Sequence, residues 1–377
     1  MNKSDASNRD RVTRFLASRW GLAAAGAVIG LLASLLQYAG NPPNMGLCIA
    51  GFLRDIAGAL GFHRDSAVQY LRPEIAGIVL GSASAAVVFR EMKSRATSAA
   101  GAFFLLGAFA MIGALVFQGC SLRMLLRLAG GDLNALPGVA GFGAGVLIGL
   151  QFIKAGFAPG RTEPVPPILG WIAPAAAAGL IALGLWNPQF LDGGPIFSSA
   201  VGTGSLHAAV WISLGAGGII GFLAQRSRFC AVGAVRDVRL MGDWTLMYGL
   251  IGLTAAAFVA NLLLGQVQVG FLDQPAAQDQ LAWNFLGMLL VGWASALAGG
   301  CPTRQLILAG EGRGDSAMFL VGMFIAGAAA HNLGLVDPCV TGSMPVTVHP
   351  AGMAAIAAGL VGCLALGLGM RMGRRGR

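Results

Sequence analysis

Long apolar runs separated by short polar breaks dominate the chain. Ten of them, at roughly 21–39, 73–90, 98–118, 137–153, 168–186, 206–224, 244–264, 281–299, 316–335 and 350–370, carry almost no charge. About 20 apolar residues let a helix cross a bilayer. The pattern therefore predicts an all-α polytopic membrane protein of about ten transmembrane helices. Composition agrees: 56% of the 377 residues are hydrophobic and 11% are charged, whereas a soluble domain is about a quarter charged. The 58 glycines are mixed with alanine, as suits membrane helices that meet backbone to backbone.

The polar breaks repeat. "NMGLCIAGFLRDIAGAL" (44–60) and "QRSRFCAVGAVRDVRL" (225–240) share Cys-x-x-Gly-x-x-Arg-Asp, as Cys48, Gly51, Arg54, Asp55 and as Cys230, Gly233, Arg236, Asp237. "GCSLR" (119–123) matches "GCPTR" (300–304), each followed by Leu-Ala-Gly and then Gly-Asp. Upstream, "GAVIGLLA" from Gly26 matches "GGIIGFLA" from Gly217. The two cysteines of a half are 72 residues apart in the first (120 − 48) and 71 in the second (301 − 230). Ordered pairs at nearly equal spacing mark an internal duplication. It divides the chain into repeats at 21–186 and 206–370, with an N-terminal segment 1–20, a connecting loop 187–205 and a basic tail 371–377.

Five spans per repeat is an odd number, so the second repeat must enter the membrane upside down. Such inverted repeats place their sites near the midplane, where interrupted helices meet. Lys and Arg collect on one side, at Arg9, Arg11, Arg14, Arg19, Lys93, Arg95, Lys154, Arg161, Arg371, Arg374, Arg375 and Arg377, and loops 187–205, 265–280 and 336–349 hold none. By the positive-inside rule both termini are cytoplasmic. Cys48 and Cys120 then face outward, and Cys230 and Cys301 inward.

The segments 48–62, 120–129, 230–241 and 301–310 are too short and too charged to span. They read as re-entrant half-helices, which are tolerated only where protein buries them or where they line a cavity. Pro302 suits the first position of a helix. Each cysteine would sit at a helix start, where partial positive charge favours thiolate and attracts anions. In Cys-x-x-Arg the arginine lies one turn on, along the same face. Arg123 and Arg304 are therefore candidate anion ligands, with a clamp on backbone carbonyls as the alternative role. Arg54, Asp55, Arg236 and Asp237 are expected to support the re-entrant loops, and Asp132 and Asp315 to cap the helices that follow. Glu74 opens a span, either as a proton relay or as the partner of Arg72. His331 and Asn332 lie inside a span, as functional groups or as helix–helix hydrogen bonders. Cys339 and Cys363 lack repeat partners and read as inert small hydrophobes. A disulfide is the competing use of Cys48 and Cys120.

The formal charge of +9 needs no nucleic acid, because much of it gathers at the chain ends. Arginine outnumbers lysine 22 to 3, which leaves room for planar, bidentate anion recognition. No Cys-x-x-Cys and no histidine cluster is present, so spacing supports no zinc or iron–sulfur framework. With no catalytic triad, phosphate loop or ATP motif, the chain is expected to be no enzyme and to need no cofactor.

These motifs resemble the YeeE/YedE sulfur-transport family. The longer strings "PNMGLCIAGFLRDIAGALGFHR", "LRMLLRLAGGDLNAL" and "GGCPTRQLILAGEGRGDSA" are similar to its YedE branch, associated with selenium transport. The resemblance implies an importer in the bacterial inner membrane, carrying a small inorganic selenium or sulfur species, with a cytoplasmic sulfur or selenium carrier as candidate partner. It implies a path past Cys48, Cys120 and Cys301, with Cys230 at the fourth repeat position. Three rivals stand beside it. One is uptake of thiosulfate or another sulfur oxyanion. Another is a membrane thiol oxidoreductase, which the missing Cys-x-x-Cys disfavours. The last is a soft-metal channel, whose cation the arginines would repel.

Overall fold

The computed structural model describes residues 13–186, 196–336 and 348–371. Residues 1–12, Cys339, part of the connecting loop and the tail beyond Arg371 lie outside the described residues. The first half runs α1 (Arg19–Tyr38), α2 (Ile49–Ala59), α3 (Pro73–Val88), α4 (Ala100–Val116), α5 (Ser121–Ala129), α6 (Ala135–Lys154) and α7 (Ile172–Trp186). The second runs α8 (Val210–Arg226), α9 (Ala231–Met241), α10 (Thr245–Leu263), α11 (Leu281–Leu297), α12 (Pro302–Gly310), α13 (Gly314–Asn332) and α14 (Pro350–Gly369).

Among the described residues, seven stretches are long and apolar enough to cross a membrane: α1, α4 continuing into α5, α6, α10, α11 continuing into α12, α13 and α14. This is a polytopic membrane protein. The other three predicted runs form shorter helices, with 16 residues in α3, 15 in α7 and 17 in α8. Exposed Trp20, Trp186, Trp211 and Trp244 sit at or near helix ends, where indole rings anchor at the headgroup level.

One element departs from the all-α expectation. Strands β1 (Arg95–Thr97) and β2 (Thr162–Pro164) pair antiparallel, joining the loops before α4 and after α6. Asp315, expected as a helix cap, instead lies in the first turn of α13 and accepts from the N–H (2.7 Å) and Oγ1 (3.0 Å) of Thr97. It ties this ladder to α13.

Packing partners recur between the halves. α1 packs on α10 and α8 on α3; α4 packs on α13 and α11 on α6; α5 meets α10 as α12 meets α3; α2 meets α13 as α9 meets α6. The last helix of each half breaks the correspondence: α7 lies against α3 and α12, whereas α14 lies against α4 and α11.

Glycine makes these contacts possible. A Cβ on Gly26 would run into the carbonyl of Gly249, one on Gly81 into that of Gly218, one on Gly107 into that of Phe319, and one on Gly145 into that of Leu289. The helix axes therefore approach until backbone touches backbone, giving dispersion contact in lipid, where apolar burial supplies no drive. Gly101, on the same helix as Gly107, faces open space. Gly107→Ala should therefore destabilise the fold by about 1–3 kcal/mol through overpacking. Gly101→Ala should be neutral or stabilise by up to about 1 kcal/mol. Thermal unfolding in detergent micelles distinguishes the two.

Candidate functional site

Four short helices begin at cysteines. Cys48 is the N-cap of α2, Cys120 of α5, Cys230 of α9 and Cys301 of α12. A residue in the left-handed backbone region precedes each cysteine by two positions: Gly46 (φ 34°), Gln118 (φ 63°), Arg228 (φ 56°) and Gly299 (φ 78°). Each of these turns immediately precedes the start of a short helix. Glycine adopts the left-handed region freely, while Gln118 and Arg228 do so at a cost of roughly 1–2 kcal/mol. The surrounding structure must hold them there.

Cysteine caps for a physical reason. The N–H groups of a helix's first turn have no partner within the helix, and a buried one must find an acceptor. The Cys48 sulfur accepts from Gly51 N–H (3.2 Å) and the Cys230 sulfur from Gly233 N–H (3.3 Å). The glycine three residues on keeps this corner clear. A Cβ there would run into the Met45 side chain at Gly51 and the Leu246 side chain at Gly233.

The four helix starts converge. The thiols of Cys48 and Cys120 face each other, and the Ile49 N–H at the start of α2 faces the Cys120 sulfur. The second half repeats this: Cys230 faces Cys301, and the Ala231 N–H faces the Cys301 sulfur. Cys301 also faces Ser121, the residue after Cys120, so the two pairs meet. All four cysteines are free and buried. Thr303 Oγ1, in the first turn of α12, is buried with no hydrogen-bond partner among the described residues, and Ser121 Oγ, in the first turn of α5, is buried with the Cys301 sulfur facing it.

The arginines do different work. Arg123 donates from Nε to Asn44 O (3.0 Å) and from Nη2 to Ala276 O (2.6 Å). Its guanidinium clamps carbonyls while its charge acts on Cys48. Arg304 lies 3.3 Å from Glu311 Oε1. In the first half, Asp55 is gripped by Arg54 (2.7 Å) and by Arg72 (2.7 Å), with all three buried. Arg72 also donates to Thr203 O (2.7 Å) and Leu206 O (2.9 Å), so of the two roles open to Glu74 the pairing with Arg72 is not made. Asp237 pairs with Arg236 at 2.8 Å, but that arginine is 43% exposed. Asp132 does not cap α6: it pairs with buried Arg127 at 2.6 Å and accepts from Asn134 N–H (2.9 Å).

His331 and Asn332 close the far side of α2. His331 Nδ1 lies 2.8 Å from Asp65 Oδ2, and Asn332 donates to Phe62 O (2.8 Å). Cys363 is buried in α14, which packs chiefly against α4 and α11. Near Cys230 a polar cavity of about 370 Å³ opens between Glu91, Lys93, Arg95, Thr162, Arg228, Glu311 and Arg313. In it the Glu91 carboxyl titrates below its usual range: partial burial opposes this, and Gln225, Arg226 and Arg228 outweigh it.

The fold is that of a polytopic membrane protein whose buried centre holds four cysteine-capped helix starts. The Sulphur transport family matches residues 2–122 and 226–372, and the chain belongs to that family. It is 32% identical over 110 residues to the thiosulfate transporter TsuA of Escherichia coli (strain K12), a stretch covering 29% of this chain and 29% of that protein. To the thiosulfate transporter TsuA of Spirochaeta thermophila (strain ATCC 700085 / DSM 6578 / Z-1203) it is 32% identical over 103 residues, 27% of this chain and 31% of that protein. The matched stretches thus span about three tenths of these curated relatives.

Burial separates the two Arg-Asp pairs that share one motif. Asp55→Ala leaves two buried guanidinium groups without their anion and should cost about 3–5 kcal/mol. Asp237→Ala breaks a pair with an exposed partner and should cost less than about 1 kcal/mol. Denaturant or thermal unfolding of the two variants reads the difference.

Proposed function

We propose that the protein imports a small sulfur oxyanion, thiosulfate in the first instance, along a line of four thiols at the membrane midplane. The convergence of four cysteine-capped helix starts carries this reading. Helix N-termini present free N–H groups and partial positive charge to an anion. The buried hydroxyls of Thr303, which has no partner among the described residues, and of Ser121, which faces Cys301, offer two further donors to its oxygens. The terminal sulfur is soft and polarizable, and thiols match it. A dry passage would strip the anion's hydration at prohibitive cost, so replacement donors are needed along the way. Cys48 and Cys120 receive the substrate, Cys301 takes it beside Ser121, and Cys230 delivers it toward the polar cavity at Arg228.

In this reading the two halves are inverted repeats, 21–186 and 206–370, each with five crossing helices. α2, α5, α9 and α12 are re-entrant, both termini are cytoplasmic and the bilayer is the bacterial inner membrane. The recurring helix pairs and the one-sided Lys and Arg loops support it. So does the burial of every residue of α2, since a helix buried all round belongs to a protein core. Arg123 shapes the path by holding the loop before Cys48, and Arg304 by its pairing with Glu311. Arg54, Asp55, Arg236 and Asp237 support the re-entrant helices. A selenium species of the same soft, anionic kind is the second reading, favoured by the branch-like strings around Cys48, Arg127 and Cys301.

Uptake of radiolabelled thiosulfate into proteoliposomes tests this. Wild type should accumulate label. Cys120→Ala and Cys301→Ala should each lose about tenfold or more in rate, the scale of one hydrogen bond to a charged group. Cys363→Ala should transport as wild type. Unchanged uptake by both cluster variants would overturn the thiol path, and failure of excess selenite to compete would exclude the second reading.

A further inference from the structure

We propose that Glu74 is a proton-binding site that couples substrate import to inward proton movement; this rests on the transport reading above. Glu74 lies in the first turn of α3 and is completely buried. Its Oε1 accepts from Asn41 Nδ2 (2.8 Å) and from Ser213 Oγ (2.9 Å), and Oε2 has no partner among the described residues. Neutral donors alone serve this carboxyl. A buried carboxylate is paired or it takes up a proton, because an uncompensated anion in an apolar setting is costly. In a membrane helix such a group is a functional candidate.

The groups around it leave it no cation. On the loop before α3, Tyr70 faces it, stacked on His207 at 4.1 Å, and Arg72 is committed to Asp55, Thr203 and Leu206. α2 offers Arg54 and Asp55, which pair with each other. On α8 the only charge is Arg226, paired with Glu91 beyond the opposite end of α3. α7 carries no charge, and Arg304 on α12 is paired with Glu311.

Two connections make the site a coupling device. Asn41 Nδ2 donates both to Glu74 and to Gly46 O (2.8 Å), the left-handed residue two before Cys48, and Asn41 Oδ1 accepts from Ala208 N–H (2.9 Å). Ser213 stands on α8, across the contact between the two halves. An ionised acceptor holds its donors about twice as strongly as a neutral one. Proton uptake on Oε2 therefore loosens Asn41 and Ser213 together, freeing the loop that carries Cys48 and the α3–α8 contact. Inward transfer of the thiosulfate dianion opposes an inside-negative potential, and a proton bound at Glu74 travels as counter-charge to one of its two negative charges. The proton enters from the outer solution and leaves to the inner one.

The test uses full-length protein in proteoliposomes with the membrane potential clamped. Labelled thiosulfate uptake is measured with and without an outside-acidic gradient. Wild type should respond severalfold, and Glu74→Gln should not respond. In parallel, thiosulfate added to wild-type vesicles in weakly buffered medium should alkalinise the exterior, a readout that needs no variant. Thiosulfate uptake that ignores the gradient, or entry without alkalinisation, overturns the proton site while leaving transport intact. A full gradient response in Glu74→Gln overturns it as well. No thiosulfate uptake under any condition overturns the transport reading itself.

Discussion

A helix that starts inside a membrane must find acceptors or ligands for its first N–H groups, and the rest of this structure follows from that demand. Each unsatisfied group in hydrocarbon costs several kcal/mol. Four helix starts are gathered in one place here, and in the re-entrant reading proposed above all four lie within the membrane. Sulfur accepts two of the N–H groups directly, from Gly51 and Gly233. Sulfur is a weak acceptor, so the arrangement stays poised for something better. In the proposed function an oxyanion offers stronger acceptors to the remaining first-turn donors of α5 and α12 and a soft atom to the thiols.

Holding four helix starts together requires a rigid frame, and glycine supplies it. Backbone-to-backbone contacts at Gly26, Gly81, Gly107 and Gly145 fix the long helices that carry the short ones. The buried Arg54–Asp55–Arg72 and Arg127–Asp132 clusters lock α2 and α5. Second-half counterparts are looser: Arg236 is exposed, and Arg304 sits 3.3 Å from its carboxylate. The mobile element in the proposed cycle is therefore sought where the halves meet, at α3, α8 and the loop before Cys48. Moving a dianion inward against 100 mV costs about 4.6 kcal/mol, so a counter-charge near that contact has a clear purpose.

Much of this was legible in the chain. Apolar runs marked the long helices, and the doubled Cys-x-x-Gly-x-x-Arg-Asp and Gly-Cys-x-x-Arg motifs marked the starts of the short ones, because capping and turn chemistry are local. Partners across the fold were not legible. Proximity left Arg72 open as a partner of Glu74, two residues away, but a buried guanidinium goes where tertiary structure puts an anion, and that was Asp55. Nothing local showed that Ser121 would face Cys301, since 180 positions separate them. Asp315 read as a cap from its place before an apolar run and instead holds β1, whose three residues are too few to announce a strand. The left-handed pair Gln118 and Arg228 carried no signal, since glycine is the usual residue there.

The most direct measurement is a crystal structure with thiosulfate bound, its sulfurs located by anomalous scattering. The predicted result is a bound anion among the Cys48, Cys120 and Cys301 thiols, with its oxygens on the N–H groups and hydroxyls of the first turns of α5 and α12. Thiosulfate bound only elsewhere, such as in the cavity at Arg228, with the two thiol pairs still intact, would contradict it.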